Sequence, residues 1–227
     1  SQEKLFEYLL KEITRKFQEG SEPDLVFITG DIAHGGKQEE YNTFYEKFLA
    51  RLIEMFPEEG RIFTIPGNHD VDIKEAEAVQ RYGIQEKLPH FLFPNHEGFH
   101  VREPLLSRFK AYSEFDITET DRKGKHWLQS EAGFYTNCKL QIKGRSIGIL
   151  GINTAWFCGG GKDNEERFQL TPGKAMLEKG LEVIKDCDIR IVLGHHPIDT
   201  WFIEAETPSL RALLARYNVL YLHGHLH

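Results

Sequence analysis

Four apolar runs in this 227-residue chain stop at a glycine, and a side chain able to ligate a metal follows at once. They are Leu25–Thr29 before Gly30-Asp31, Arg61–Pro66 before Gly67-Asn68-His69-Asp70, Ile189–Leu193 before Gly194-His195-His196, and Val219–His223 before Gly224-His225-Leu226-His227. Short β-branched runs of this kind read as buried strands. Glycine lets the chain turn sharply where a strand ends, and ligands of open α/β sheets gather at the carboxyl ends of the strands. Asp31, Asn68, His195, His225 and His227 are therefore expected to converge at one rim of one sheet. A carboxylate, an amide oxygen and three imidazoles in one place make a site for divalent metal.

Each residue also has a plainer reading. Asp31 and the Asn68-His69-Asp70 group could cap turns, where such residues are common. Isolated histidines are usually structural. Three of them at the ends of two strands, alongside the other donors, weigh the balance towards metal.

The elements that must position these residues follow from periodicity. Glu3–Glu19 reads as an amphipathic helix closed by Gly20, Asp24–Thr29 as a strand, Lys37–Phe56 as a second helix and Arg61–Ile65 as a strand. Residues 74–130 carry short helical patterns near Glu75–Tyr82 and Leu105–Phe115, broken by prolines, and read as an irregular insertion over the site rim. Gly133–Thr136 and Lys139–Ile142 read as part of a hairpin turning near Asn137, followed by a strand at Ser146–Asn153. Then come a helix at Pro172–Asp186, a strand at Ile189–Leu193, a helix at Pro208–Tyr217 and a strand at Val219–Leu222. This alternation predicts a mostly parallel sheet with helices on both faces, in a single α/β domain over residues 1–227.

Composition narrows the function. A formal charge of −7 disfavours broad binding to nucleic acid, which needs basic surface. Three cysteines (Cys138, Cys158, Cys187), none in a C-x-x-C pair, are too few and odd in number for a disulfide framework, so a reducing, cytoplasmic setting is expected. No run is long enough to span a bilayer, and no membrane partner is expected.

The ordered series Gly30-Asp31, Gly67-Asn68-His69-Asp70, Gly194-His195-His196 and Gly224-His225-Leu226-His227 resembles the calcineurin-like metallophosphoesterase superfamily, from about Asp24 to the last residue. The resemblance implies a four-layer αββα sandwich holding two divalent ions (manganese, iron or zinc). It implies that Asp31 bridges both ions, that Asn68, His195 and His225 complete one, and that His227 ligates the other. It assigns His69 to the substrate as transition-state stabiliser or general acid, with Asp70 orienting its imidazole. Two divalent ions roughly 3.5–4 Å apart can hold a phosphoryl group and generate hydroxide near neutral pH. A carboxylate between them offsets their repulsion.

The family's first motif, an Asp-x-His on the first strand, does not precede Asp31, and the chain stops on His227. The sequence therefore reads as a segment of a longer protein, incomplete at both ends of the fold, with other domains as partners. With only Asp31 and His227 left for the first ion, it is expected to bind one metal better than two and to be weakly active at most.

Other features weigh less. Gly159-Gly160-Gly161-Lys162-Asp163 lacks the Ser or Thr of a phosphate loop and reads as a mobile loop. His34 could reach substrate or cap a turn. His196 could line the pocket, and His223 reads as second layer or core. His90, His96, His100 and His126 read as surface residues. Trp156, Phe157 and Trp201 could stack on a base or pack the rim. Phosphoprotein phosphatases carry Asp-Arg-Gly and Asn-His-Glu where this chain has Ile32-Ala33-His34-Gly35-Gly36 and Asp70. Gly-Asn-His-Asp resembles the branches that cleave phosphodiesters, so a phosphodiester or nucleotide-like small phosphoester is the expected substrate, with nucleic acid possible but not favoured. The rival is a catalytically weak or inactive regulatory or binding module of a larger protein.

Overall fold

The computed structural model describes residues 2–56, 60–72, 107–115, 128–129, 134–159 and 167–226. His227, the expected helix at Glu75–Tyr82, most of the 74–130 insertion, the Gly160–Asp163 loop and the histidines at 90, 96, 100 and 126 lie outside them.

Helix α1, Gln2–Gln18, puts Phe6 and Leu10 into the core and packs Ile13 and Phe17 beside it. These positions fall three and four residues apart, one stripe of an α-helix. Strand β1 is Val26–Ile28. The long second helix expected from sequence is an α2 segment (Gln38–Phe44), a π-helical turn (Tyr45–Leu49) and an α3 segment (Ala50–Met55) in unbroken succession. Tyr41, Phe44, Phe48, Leu49 and Leu52 form its buried side, and the Phe6 ring packs on Phe44 and Phe48 at 5.7 and 5.3 Å. Strand β2, Ile62–Thr64, then runs parallel to β1, pairing Phe27 with Phe63.

The remaining strands form a second sheet of order β3-β4-β5-β6-β7: Leu128–Gln129, Phe134–Ile142, Arg145–Ile152, Ile189–Leu193 and Leu220–Leu222. The first three are antiparallel and β5, β6 and β7 are parallel. Helices α4 (Lys174–Ile184), α5 (Ile198–Trp201) and α6 (Thr207–Arg216) occupy the parallel crossovers, and α4 packs on β4 and β5. Parallel neighbours require such crossovers.

Three expectations change. The glycine-ended strands lie in two sheets, β1-β2 and β3 to β7, and not in one. The expected hairpin at Asn137 is one strand, β4, with a bulge between Asn137 and Leu140. The real turn is Lys143-Gly144, whose φ values of 50° and 77° suit a tight two-residue hairpin. Within the insertion, residues 107–115 are core and not rim, and residues 128–129 form β3. Phe109, Tyr112 and Phe115 are buried, Tyr112 meets Thr64 Oγ1 at 3.0 Å, and the Phe115 ring lies 5.2 Å from Tyr41. Buried Arg108 donates to the carbonyls of Cys158 (2.6 Å) and Trp156.

Candidate metal centre

The ends of β1, β2, β6 and β7 meet although they belong to different sheets. His195 follows β6, and its Nδ1 lies 2.7 Å from the carbonyl of Thr29, just past β1. That contact assigns the proton to Nδ1 and leaves Nε2 with a bare lone pair. Nε2 then faces Asn68 Oδ1 at 3.0 Å, His225 Nδ1 at 3.1 Å and Asp31 Oδ2 at 3.3 Å. His225 Nδ1 is in turn 3.0 Å from Asn68 Oδ1.

Three donor atoms thus gather around His195 Nε2. Separations of 3.0 to 3.3 Å are also those of adjacent ligands around one small divalent ion, for which bonds of about 2.1 Å at right angles give about 3 Å. The donor set of one carboxylate, one amide oxygen and two imidazoles fits such an ion. Burial works against charge on His195, yet Asp31 outweighs it and raises the imidazole above its ordinary value. Burial likewise works against ionised Asp31, yet the hydrogen bond and charge of His195, helped by the His69 amide, hold its carboxyl below the ordinary range.

Close approach explains two of the glycines. A Cβ on Gly30 (φ 98°) would sit 2.5 Å from His195 Nδ1, and one on Gly67 would sit 2.3 Å from Asp31 Oδ1. No larger residue fits between these strand ends. Asp31 and His225 themselves hold positive φ, 57° and 69°, an uncommon conformation that brings both side chains to the cluster.

His69 lies beside this group. Its amide donates to Asp31 Oδ1 at 3.0 Å, and its Nδ1 meets the carbonyl of His34 at 3.2 Å. The His34 and His69 rings are stacked, 5.1 Å apart and 14° from parallel. Asp70 is placed otherwise than expected. Its carboxylate accepts from the amides of Ala33 (2.9 Å), Ile32 (3.4 Å) and Gly67 (2.8 Å) and from the Tyr41 hydroxyl (2.7 Å), and among the described hydrogen bonds none joins it to the His69 ring. The 3₁₀ turn Asn68–Asp70 directs successive side chains apart, so Asp70 points back into the protein. Burial pushes its carboxyl up, against the pull of those donors, and also raises the Tyr41 phenol beside it.

His196 comes within the same 4.8 Å grouping as His195 and His225, but its Nδ1 already meets Thr154 Oγ1 at 2.8 Å. Burial, with His195 and His225 nearby, pushes its imidazole well below the ordinary value, so it is neutral. It forms a wall against His225 with Trp201, whose ring stands 4.2 Å from His225. Trp156, Phe157 and Trp201 are all buried, which removes base stacking and leaves packing. His223 is exposed and meets only its neighbour's carbonyl, at 3.1 Å, among the described hydrogen bonds.

The structure therefore brings Asp31, Asn68, His195 and His225 together, with His69 beside them, while His227 lies outside the described residues. His34 carried a weak signal, three residues after Asp31. Tyr41 carried none, because a helical aromatic among aromatics reads as core. Among the described residues no helix is long and apolar enough to cross a membrane. A family profile described as calcineurin-like phosphoesterase matches residues 3–227. No curated protein and no solved structure gives a significant match.

Proposed function

The chain belongs to the calcineurin-like phosphoesterase family, and from that premise we propose that it hydrolyses a phosphodiester or nucleotide-like small phosphoester at a two-metal site. The family acts through divalent metal. The observation that carries the reading is the convergence of Asp31, Asn68, His195 and His225 at 3.0 to 3.3 Å. These four would hold one ion, and Asp31 with His227 would hold the second. Manganese, iron and zinc all suit the donors. When bound, such ions supply Lewis acidity towards a phosphoryl oxygen and make water a better nucleophile.

The protein's own groups do the rest. The Thr29 carbonyl fixes the His195 tautomer, so that Nε2 faces the site as a ligand. The His34 carbonyl engages His69 Nδ1, which orients the ring and leaves Nε2 as the nitrogen open to the substrate for proton exchange. Asp70 serves His69 indirectly, by tying the Asn68–Asp70 turn to the Ile32–Ala33 segment. The net charge of −7 supports a small substrate over duplex nucleic acid. The odd number of cysteines, three, none in a C-x-x-C pair, supports a reducing, cytoplasmic setting.

Turnover of bis-p-nitrophenyl phosphate with manganese tests the reading. Metal-dependent hydrolysis that disappears in His69→Ala is the expected result. If no phosphoester is turned over with any divalent metal, the protein is a binding module and the catalytic reading fails.

A further inference from the structure

Trp201 forms one wall of the metal centre, and the turn packed against it has no assigned task. The turn at residues 167–169 is pinned to the end of α5. Leu170 N donates to the Trp201 carbonyl at 3.0 Å, and Ile203 N donates to the Leu170 carbonyl at 2.9 Å. This places the Arg167 guanidinium over the Trp201 ring, 5.6 Å from its centroid, and Trp201 stands 4.2 Å from His225. Trp201 is only 3 % exposed and its N–H finds no acceptor among the described residues, so packing alone fixes the ring.

Arg167 differs from Arg190, Arg211 and Arg216. Arg211 pairs with Asp199, Arg216 with Glu178, and Arg190 spends its donors on backbone carbonyls. Arg167 makes no ion pair among the described residues, and the turn that carries it is exposed. A guanidinium resting on an indole face keeps its N–H edge free for a planar or tetrahedral anion. The next residue, Phe168, is 42 % exposed and holds φ at 60°. That conformation is costly for a bulky side chain, and such strain collects at functional sites.

We infer that the Arg167-Phe168 turn is a substrate-recognition subsite beside the metal centre. Arg167 takes a second anionic group of the substrate, and the Phe168 ring takes an aromatic base. The inference rests on the metal-centre reading and narrows its substrate to a nucleotide carrying a charge beyond the reacting phosphate.

Calorimetric titration of the manganese-loaded protein with inorganic phosphate, adenosine 5′-monophosphate and adenosine 3′,5′-bisphosphate separates the contributions. Arg167→Ala weakens the bisphosphate by about tenfold, the loss of one charge-assisted contact, and leaves phosphate and manganese affinity unchanged. Phe168→Gly weakens the monophosphate by about fivefold relative to phosphate, through lost stacking. The same variant raises the melting temperature, because glycine accepts positive φ freely. Equal weakening of all three ligands by Arg167→Ala, or wild-type protein that binds phosphate without preferring the bisphosphate, overturns the subsite alone. Wild-type protein that binds no manganese removes the metal-centre reading together with the subsite.

Discussion

His195 Nδ1 lies 2.7 Å from the carbonyl of Thr29, across 166 positions of sequence. One contact thereby joins the five-stranded sheet to the two-stranded one and decides which nitrogen of His195 is free to ligate. Since the acceptor is backbone, it survives any substitution at Thr29 that keeps the strand end in place. The centre is sensitive instead to the ring itself and to the space around it.

Replacing that ring tests the donor cluster. His195→Ala removes the atom within 3.0 to 3.3 Å of all three other donors. Manganese affinity should fall on the order of a hundredfold or more, since even outer partners of a ligand are worth 10–100-fold. Calorimetric titration with manganese checks this, and an unchanged isotherm means the ion sits elsewhere.

Filling the space at Gly30 is a separate test. A Cβ there would lie 2.5 Å from His195 Nδ1 and 2.8 Å from Gly67 Cα, at a φ of 98°. Gly30→Ala should cost about 2–4 kcal/mol of stability, from overpacking and backbone strain together. It should weaken manganese as well, because the same collision displaces a ligand. Urea unfolding with and without manganese measures both, and a stable variant with full metal affinity contradicts the close approach.

His69 and Asp70 adjoin in sequence but should fail differently. His69→Ala should leave the melting temperature and metal affinity near wild type and lower turnover by about 10²–10⁴-fold, the usual worth of a proton-transfer group. Asp70→Asn puts an amide N–H against a ring of donors (Ile32, Ala33 and Gly67 amides and the Tyr41 hydroxyl), and should cost about 2–3 kcal/mol. Thermal unfolding beside kinetics on bis-p-nitrophenyl phosphate reads the split. Loss of turnover in Asp70→Asn with no loss of stability would return Asp70 to direct service in catalysis.

A pH-dependent effect is expected far from the centre. Asp188 accepts from the amide and hydroxyl of Ser146, both at 2.8 Å, which ties the start of β6 to the start of β5. These bonds hold its carboxyl below the ordinary range, the backbone bond first. A depressed folded-state value means that the unfolded chain binds the proton more readily. The stabilisation is present above the ordinary aspartate pKa of about 3.9 and is lost as pH falls through the lower folded value. Asp188→Asn should therefore be less stable than wild type at pH 7, and the gap should narrow on acidification. Urea midpoints across the acid range test the sign, and a gap that widens towards low pH refutes it.

The candidate donors Asp31, Asn68, His195 and His225 are legible from residue type and local pattern. An apolar run, a glycine and a polar donor, repeated in order, identify the strand ends and the donor set without reference to any distant partner. The same local logic places α1 and the second helix to within one residue at each end, and β6 to the residue. Tertiary structure alone decided the rest. A buried strand has the same alternation whichever sheet it joins, so periodicity could not divide β1 and β2 from β6 and β7. The partners of Asp70 lie 3, 29, 37 and 38 positions away, and no local pattern distinguishes a carboxylate that orients a neighbouring imidazole from one that anchors a turn. Burial of Trp201 behind His225 and the stacking of His34 on His69 likewise depend on how separate segments pack, which is set by the sum of contacts across the core.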